Sequence, residues 1–257
     1  MNAHRLAGAV AIVTGGGSGI GRASALRLAS EGAAVALADV DEKSAVAAAE
    51  EIEGDGGRAI GIACDVGLER EVAGMVRRTV DELGEITVLF ANAGVPSPKI
   101  PTHELPLEEF ERVITVNLTG IFLAVKHAIP SMLRAGGGSV ITCGSVSSIV
   151  APGGGGVPYR SSKGGVLQLT RAVAVEYATQ GIRANCVLPG PIDTAIQAKK
   201  AAMAERAGVA DRAPFSTPME RRGRAEEVAA AVAFLASADA SFTTGTTVIV
   251  DGGFTAV

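Results

Sequence analysis

The feature that most restricts what this chain can fold into is a regular alternation of two kinds of segment. Short apolar runs occupy Ala9–Thr14, Ala34–Asp39, Ala59–Cys64, Thr87–Ala91, Ser139–Cys143, Ile182–Leu188 and Thr247–Val250. They are rich in Val, Ile and Ala and mostly do not alternate in polarity, which is the pattern of strands buried on both faces. Between them lie helical patterns at 19–31, 42–53, 68–83, 107–134, 158–179 and 225–236. In the third of these, Val72, Met75, Val76 and Val80 share one face. Strand and helix repeated in this way predict right-handed crossovers and an α/β fold, with a doubly wound, mostly parallel seven-stranded sheet and helices on both faces. No internal repeat and no linker breaks the pattern, so residues 1–257 read as a single domain. The least regular stretch, 189–224, reads as an excursion from the sheet.

Composition excludes several classes of protein. With 47% hydrophobic and 19% charged residues in 257, the chain can bury a large core. A net charge of −4 and a pI near 5.5 leave no basic footprint for nucleic acid. The cluster Arg221, Arg222 and Arg224 would neutralise few phosphates and reads as a solvated or subunit-facing loop. No run approaches the ~18–20 consecutive apolar residues of a membrane span. The opening MNAHRLAGAVAIVTGGG lacks the layout of a signal peptide. Cys64, Cys143 and Cys186 are odd in number and far apart, which fits neither a disulfide framework nor a zinc site, and the three histidines lack ligand spacing. No metal is expected, and a reducing cytoplasm is the simplest setting.

The first run leads into Thr14-Gly-Gly-Gly-Ser-Gly-Ile-Gly21 and then a helix. A helix N-terminus offers unpaired N–H groups and partial positive charge, and glycines let a pyrophosphate approach it. The loop does not fit G-x-G-x-x-G in any register, so alone it is also compatible with a tight turn that holds nothing. Asp39 ends the second run, 18 residues after Gly21. A carboxylate there accepts hydrogen bonds from ribose hydroxyls and repels a 2′-phosphate, and no Arg or Lys stands at Gly17, Ser18 or Val40 to offset it. The pair points to NAD rather than NADP, the alternative for Asp39 being a turn or capping role.

Further along, Tyr159-Arg-Ser-Ser-Lys163 resembles the Tyr-x-x-x-Lys motif of the short-chain dehydrogenase/reductase family. Thr14-x-x-x-Gly19-x-Gly21 is similar to that family's own glycine pattern, and Asn92-Ala93-Gly94, Val116-Asn117, Ser145 and Pro189-Gly190 fall in its order. The resemblance runs from Leu6 to about Phe254. It implies a single Rossmann domain with a cofactor half at about 6–145 and substrate loops at about 146–157 and 189–224. The implied activity is hydride transfer between a nicotinamide cofactor and a secondary alcohol or ketone. Tyr159 and Lys163 are i and i+4, one turn apart on one helix face, where the ammonium favours phenolate over phenol. Tyr159 would then be the general acid/base and Ser145 would hold the substrate oxygen. By resemblance, Lys163 also binds the nicotinamide ribose and Asn117 supports a water-linked proton path. Asn117 sits within the apolar helical stretch VITVNLTGIF, where a buried amide needs a partner whatever its role.

The resemblance also implies cofactor contacts from Gly15, Ser18, Gly19, Ile20 and Gly21. Asp65 and Val66 would face the adenine, Asn92, Ala93 and Gly94 the adenosine ribose, and Pro189, Gly190, Ile192 and Thr194 the carboxamide. Thr194 also fits a helix N-cap ahead of Ala195-Ile196. Two departures stand out. Ser145 lies 14 residues before Tyr159, one more than is usual in the family, which implies an insertion within Ala151–Gly156 or, if it lies nearer the strand, Ser147 as the working serine. Ala91 stands where the family often has Asn. Val95, Ile149, Val150, Pro158 and Phe215 outline a mostly apolar substrate pocket, with His103 as an outlying polar group. The family further implies a homotetramer packed through the last strand and Asp251–Phe254. Two rivals remain: an NADPH-linked 3-oxoacyl-thioester reductase, which Asp39 opposes, and a non-catalytic NAD-binding module, which Asn117, Ser145, Tyr159 and Lys163 together oppose.

Overall fold

The computed structural model describes residues 4–151, 156–194 and 217–257. Its seven strands are β1 (Val10–Thr14), β2 (Ala34–Asp39), β3 (Arg58–Ala63), β4 (Val88–Ala91), β5 (Gly138–Cys143), β6 (Ile182–Pro189) and β7 (Thr247–Val250). They form one sheet in the order β3-β2-β1-β4-β5-β6-β7, and every pairing is parallel. The expected strands are all present. The third begins one residue early, at Arg58, and its register with β2 places Asp39 beside Ala63.

The helices are α1 (Gly19–Ser30), α2 (Glu42–Gly54), α3 (Glu69–Leu83), α4 (Leu107–Ile114), α5 (Gly120–Arg134), α6 (Val157–Tyr177) and α7 (Ala225–Ala236). Two apolar clusters show how they cover the sheet. Ile12, Ala36, Leu89, Val140 and Cys186 face Val72 and Met75 of α3, Ala124 and Ala128 of α5 and Val166 of α6. The alternate strand residues Ala11, Val13, Val35, Leu37, Phe90 and Ile141 face Ala25 and Leu28 of α1, Ala48 and Ile52 of α2 and Val228 and Val232 of α7. Successive residues of one strand therefore enter opposite cores, which is why the runs are apolar without a period of two.

The stretch expected as one helix over 107–134 is broken by a π-helical turn, Thr115–Thr119, between α4 and α5. It is the only described helical stretch long and apolar enough by composition to cross a membrane, and half of its apolar window is buried in this fold. The polarity that sequence inspection noted within it, Asn117, sits at 0% exposure in the widened turn. Strand order reverses between β1 and β4, so the carboxyl ends of these strands flank the crevice where ligands bind in sheets of this kind.

Candidate functional site

The glycine loop is built by close backbone contacts. Gly15 adopts φ +65°, and a β-carbon there would press on the Asn92 amide and the Ala93 backbone. A β-carbon at Gly21 would overlap the Gly15 carbonyl oxygen. Thr14 fixes the other side: its buried Oγ1 accepts from the N–H groups of Asn92 (2.9 Å) and Ala93 (3.1 Å), while Asn92 Nδ2 donates to the Thr14 carbonyl at 3.0 Å. The ends of β1 and β4 are thus tied across the switch point. Thr14 belongs to the glycine motif, and the motif assigns it no partner. Its signal was a hydroxyl closing an apolar strand.

Ser18 takes the N-cap position of α1 with extended backbone and is exposed, yet its side chain makes no cap hydrogen bond, and the first turn of the helix holds no acidic residue. The loop thereby keeps the uncovered, electropositive helix start that a pyrophosphate needs. Half-buried Ile20 packs against the α1-side core. Asp39 reaches the loop directly: Gly17 N donates to its Oδ2 at 3.0 Å and Asp41 N to its Oδ1 at 3.1 Å. Thr194 comes over the loop from the end of β6, with its side chain 3.5 Å from where a Gly19 β-carbon would stand. Its suggested capping of a helix at Ala195 lies outside the described residues.

The remaining cofactor-side expectations divide. Asp65 sits at the end of β3, where its Oδ1 accepts from Gly67 N at 2.9 Å and its own N–H donates to Glu71. Val66 is buried against Gly120. Pro189 ends β6, Gly190 lies hard against Asp251, and Ile192 is buried and bridged to Gly223. Hydrogen bonds from Thr255, Gly253 and Phe254 hold the Asp251 carboxyl below its usual range despite its burial.

The group around Asn117 and Lys163 is compact. Gly94 lies with its missing β-carbon position 3.3 Å from Asn117 Oδ1 and 3.6 Å from Lys163 Nζ. Asn117 Oδ1 accepts from Val95 N at 2.7 Å, and its Nδ2 donates to the Val95 carbonyl at 3.0 Å and to Ser162 Oγ at 3.3 Å. Ser162 donates in turn to the Tyr159 carbonyl at 2.7 Å. Lys163, 3% exposed, donates through Nζ to the Cys143 carbonyl at 2.6 Å. Its ammonium lies 5.8 Å from the centre of the half-buried Tyr159 ring.

Ser145 follows β5 directly, and the β5–β6 register runs unbroken to Cys143. Its Oγ accepts from Ser147 N at 3.1 Å and caps the single 3-10 turn Val146–Ser148. Ser162 and Ser148 escaped sequence reasoning because nothing in spacing separates them from their serine neighbours. Burial pushes the Cys143 thiol up to about 11, with Lys163 pulling the other way, and raises Cys186 as well, so both stay protonated and act as small apolar side chains.

Of the apolar substrate-side residues, Pro158 is buried, Val95 is half-buried, and Ile149 and Val150 are exposed. His103 is exposed beside Glu104. Phe215, and the expected loops over 152–155 and 195–216, lie outside the described residues. Among the described residues, no group of three His, Cys, Asp or Glu side chains is placed to hold a metal.

Fold and site together define an α/β protein of the Rossmann type, with a glycine loop at the switch point and a Tyr–Lys pair beside the segment that follows β4. A family model described as enoyl-(acyl carrier protein) reductase matches residues 15–255. Cis-4-hydroxycyclohexanecarboxylate dehydrogenase of Sinomonas cyclohexanicum is 45% identical over 96% of this chain and 97% of its own. Cyclohexanol dehydrogenase of Acinetobacter sp. (strain SE19) is 37% identical over 96% and 94%. The crystal structure of levodione reductase superimposes with a TM-score of 0.92 at 36% identity, covering 98% of this chain and 99% of that one. The chain belongs to the short-chain dehydrogenase/reductase family and is an oxidoreductase of that family.

Proposed function

We propose that this enzyme is an NAD-dependent dehydrogenase that oxidises a secondary alcohol on a six-membered carbocycle to the ketone, and reduces the ketone in reverse. The observation that carries the chemistry is the buried Lys163 ammonium, held by the Cys143 carbonyl with its charge 5.8 Å from the Tyr159 ring. The ring class rests on relatives named for cis-4-hydroxycyclohexanecarboxylate, cyclohexanol and 2,5-dichloro-2,5-cyclohexadiene-1,4-diol.

The glycine loop fits a dinucleotide, because its backbone folds back too tightly for a side chain at Gly15 or Gly21 and leaves the start of α1 uncovered. Gly15, Ser18, Gly19, Ile20 and Gly21 would hold the phosphates, Asp39 a ribose, and Thr194 with Pro189, Gly190 and Ile192 the nicotinamide end. Asp65 and Val66 would border the adenine, and Asn92, Ala93 and Gly94 the adjoining ribose. When bound, the nicotinamide supplies the hydride acceptor. Tyr159 would take the hydroxyl proton of the alcohol as general base, with the Lys163 side chain beside its ring. Ser145, whose Oγ accepts from Ser147 N and keeps its own hydrogen to give, would hold the substrate oxygen, a reading preferred here over Ser147. Asn117 spends its amide on Val95 and Ser162 and so locks the loop after β4 onto α6; its water-linked role rests on resemblance. A homotetramer in the cytoplasm completes the reading.

Cofactor choice follows from Asp39. NADH is expected to bind more tightly than NADPH, because a 2′-phosphate would meet the carboxylate. Asp39→Ala removes charge-assisted hydrogen bonds worth about 1.5–3 kcal/mol, so NADH should weaken by roughly 10–150-fold while NADPH does not weaken. Titration of nicotinamide fluorescence measures both. A wild-type preference for NADPH would sink the NAD reading and favour 3-oxoacyl reduction instead.

A further inference from the structure

We infer that Ser148 is a positioning residue, which sets the catalytic Ser145 against the Tyr159–Lys163 pair. The inference rests on the catalytic roles proposed above. Those groups come from two separate elements, the turn after β5 and the first turns of α6. Side-chain hydrogen bonds tie these elements together.

Two of them, among the described residues, run in opposite senses. Lys163 Nζ, on the helix, donates to the Cys143 carbonyl at the end of the strand at 2.6 Å. Ser148 Oγ, on the turn, donates to the backbone carbonyl of Lys163 at 2.8 Å and accepts from the N–H of Ser145 at 3.2 Å. One hydroxyl thus joins the backbone of the serine that holds substrate to the backbone of the lysine that acts on Tyr159. The room for it comes from Gly144, where a β-carbon would meet Ser148 Oγ at 3.0 Å and Cys186 Sγ at 2.9 Å. Ser147, by contrast, offers Ser145 only its N–H. Loss of the Ser148 hydroxyl would leave the Lys163 ammonium tie in place, so the fold should persist while the Ser145 hydroxyl drifts relative to Tyr159. Displacements of about 1 Å at such a point cost up to about 100-fold in rate.

The test compares Ser148→Ala and Ser148→Thr in the full-length enzyme, with cyclohexanol and hydroxycyclohexanecarboxylate as probes. Ser148→Ala is expected to lower kcat by about 10–100-fold with the dissociation constant of NADH unchanged. Ser148→Thr, which keeps the hydroxyl, should restore most of the rate. In a Tyr159→Phe background, Ser148→Ala should cost little more, because the group it aligns is already gone. A wild-type kcat in Ser148→Ala, failure of Ser148→Thr to recover activity, or a loss confined to Tm would each overturn the inference. If instead Tyr159→Phe keeps full turnover, or the wild type turns over neither probe, the catalytic reading falls and this inference falls with it.

Discussion

Tyr159→Phe should abolish all but a trace of turnover, with kcat falling by about 10²–10⁴-fold, the range attached to a positioned proton-transfer group. The expectation is sharp because the substitution removes one oxygen and little else. The ring stays in α6, near the Lys163 ammonium, and the attraction of a cation to an aromatic face does not need the hydroxyl. Lys163 keeps its bond to the Cys143 carbonyl, and Asn117 and Ser162 keep theirs. Fluorescence titration should therefore give an unchanged NADH affinity alongside the lost rate. Such a split removes an interaction made at the chemical step and leaves binding intact. A Tyr159→Phe enzyme with undiminished kcat would refute the proton-transfer role.

The second large effect is expected at Gly21→Ala. The added methyl would overlap the Gly15 carbonyl oxygen and stand 2.7 Å from Asn92 Nδ2. The first is backbone and the second is held by Thr14, so neither can step aside cheaply. Overpacking of this kind costs about 1–3 kcal/mol, occasionally more. The relief available, widening the loop, destroys the cradle that the dinucleotide would occupy. Denaturant unfolding should show a lower midpoint, and NADH titration should show binding lost. Gly74→Ala and Gly164→Ala serve as controls, since each lies within a helix with nothing within 4 Å of the new carbon. There, replacement of glycine should be neutral or stabilising by up to about 1 kcal/mol. Unimpaired NADH binding in Gly21→Ala would show that the loop is not the phosphate cradle.

The sheet was legible because burial on both faces leaves an unmistakable trace: seven apolar runs became seven parallel strands, with several ends moved by a single residue. Asp39 was legible from its place at a strand end, since parallel strand ends converge on the switch point. The break at Thr115–Thr119 was not. Hydrophobic periodicity records which side of a helix is buried, and one widened turn leaves that record intact. Only the polarity of Asn117 betrayed it. The Ser148 tie was illegible for a different reason. It depends on how a strand-end turn meets a helix across a glycine run, and no local pattern encodes that meeting. Thr14 lay between these cases, visible as a hydroxyl in an apolar strand but without a stated partner.

The π turn has a consequence for anyone who would make this enzyme sturdier. A helix widened by one residue gives up regular i to i−4 hydrogen bonding, and such turns persist chiefly where a function needs them. Excising exposed Thr115 would let α4 and α5 fuse into one regular helix, whose residues each turn about 100° per position. The fused helix should melt at a higher temperature, yet Asn117 would swing away from Val95 and Ser162. Screens that reward thermal endurance alone would therefore collect this deletion, and would return a hardier protein that has lost the tie between Val95 and α6.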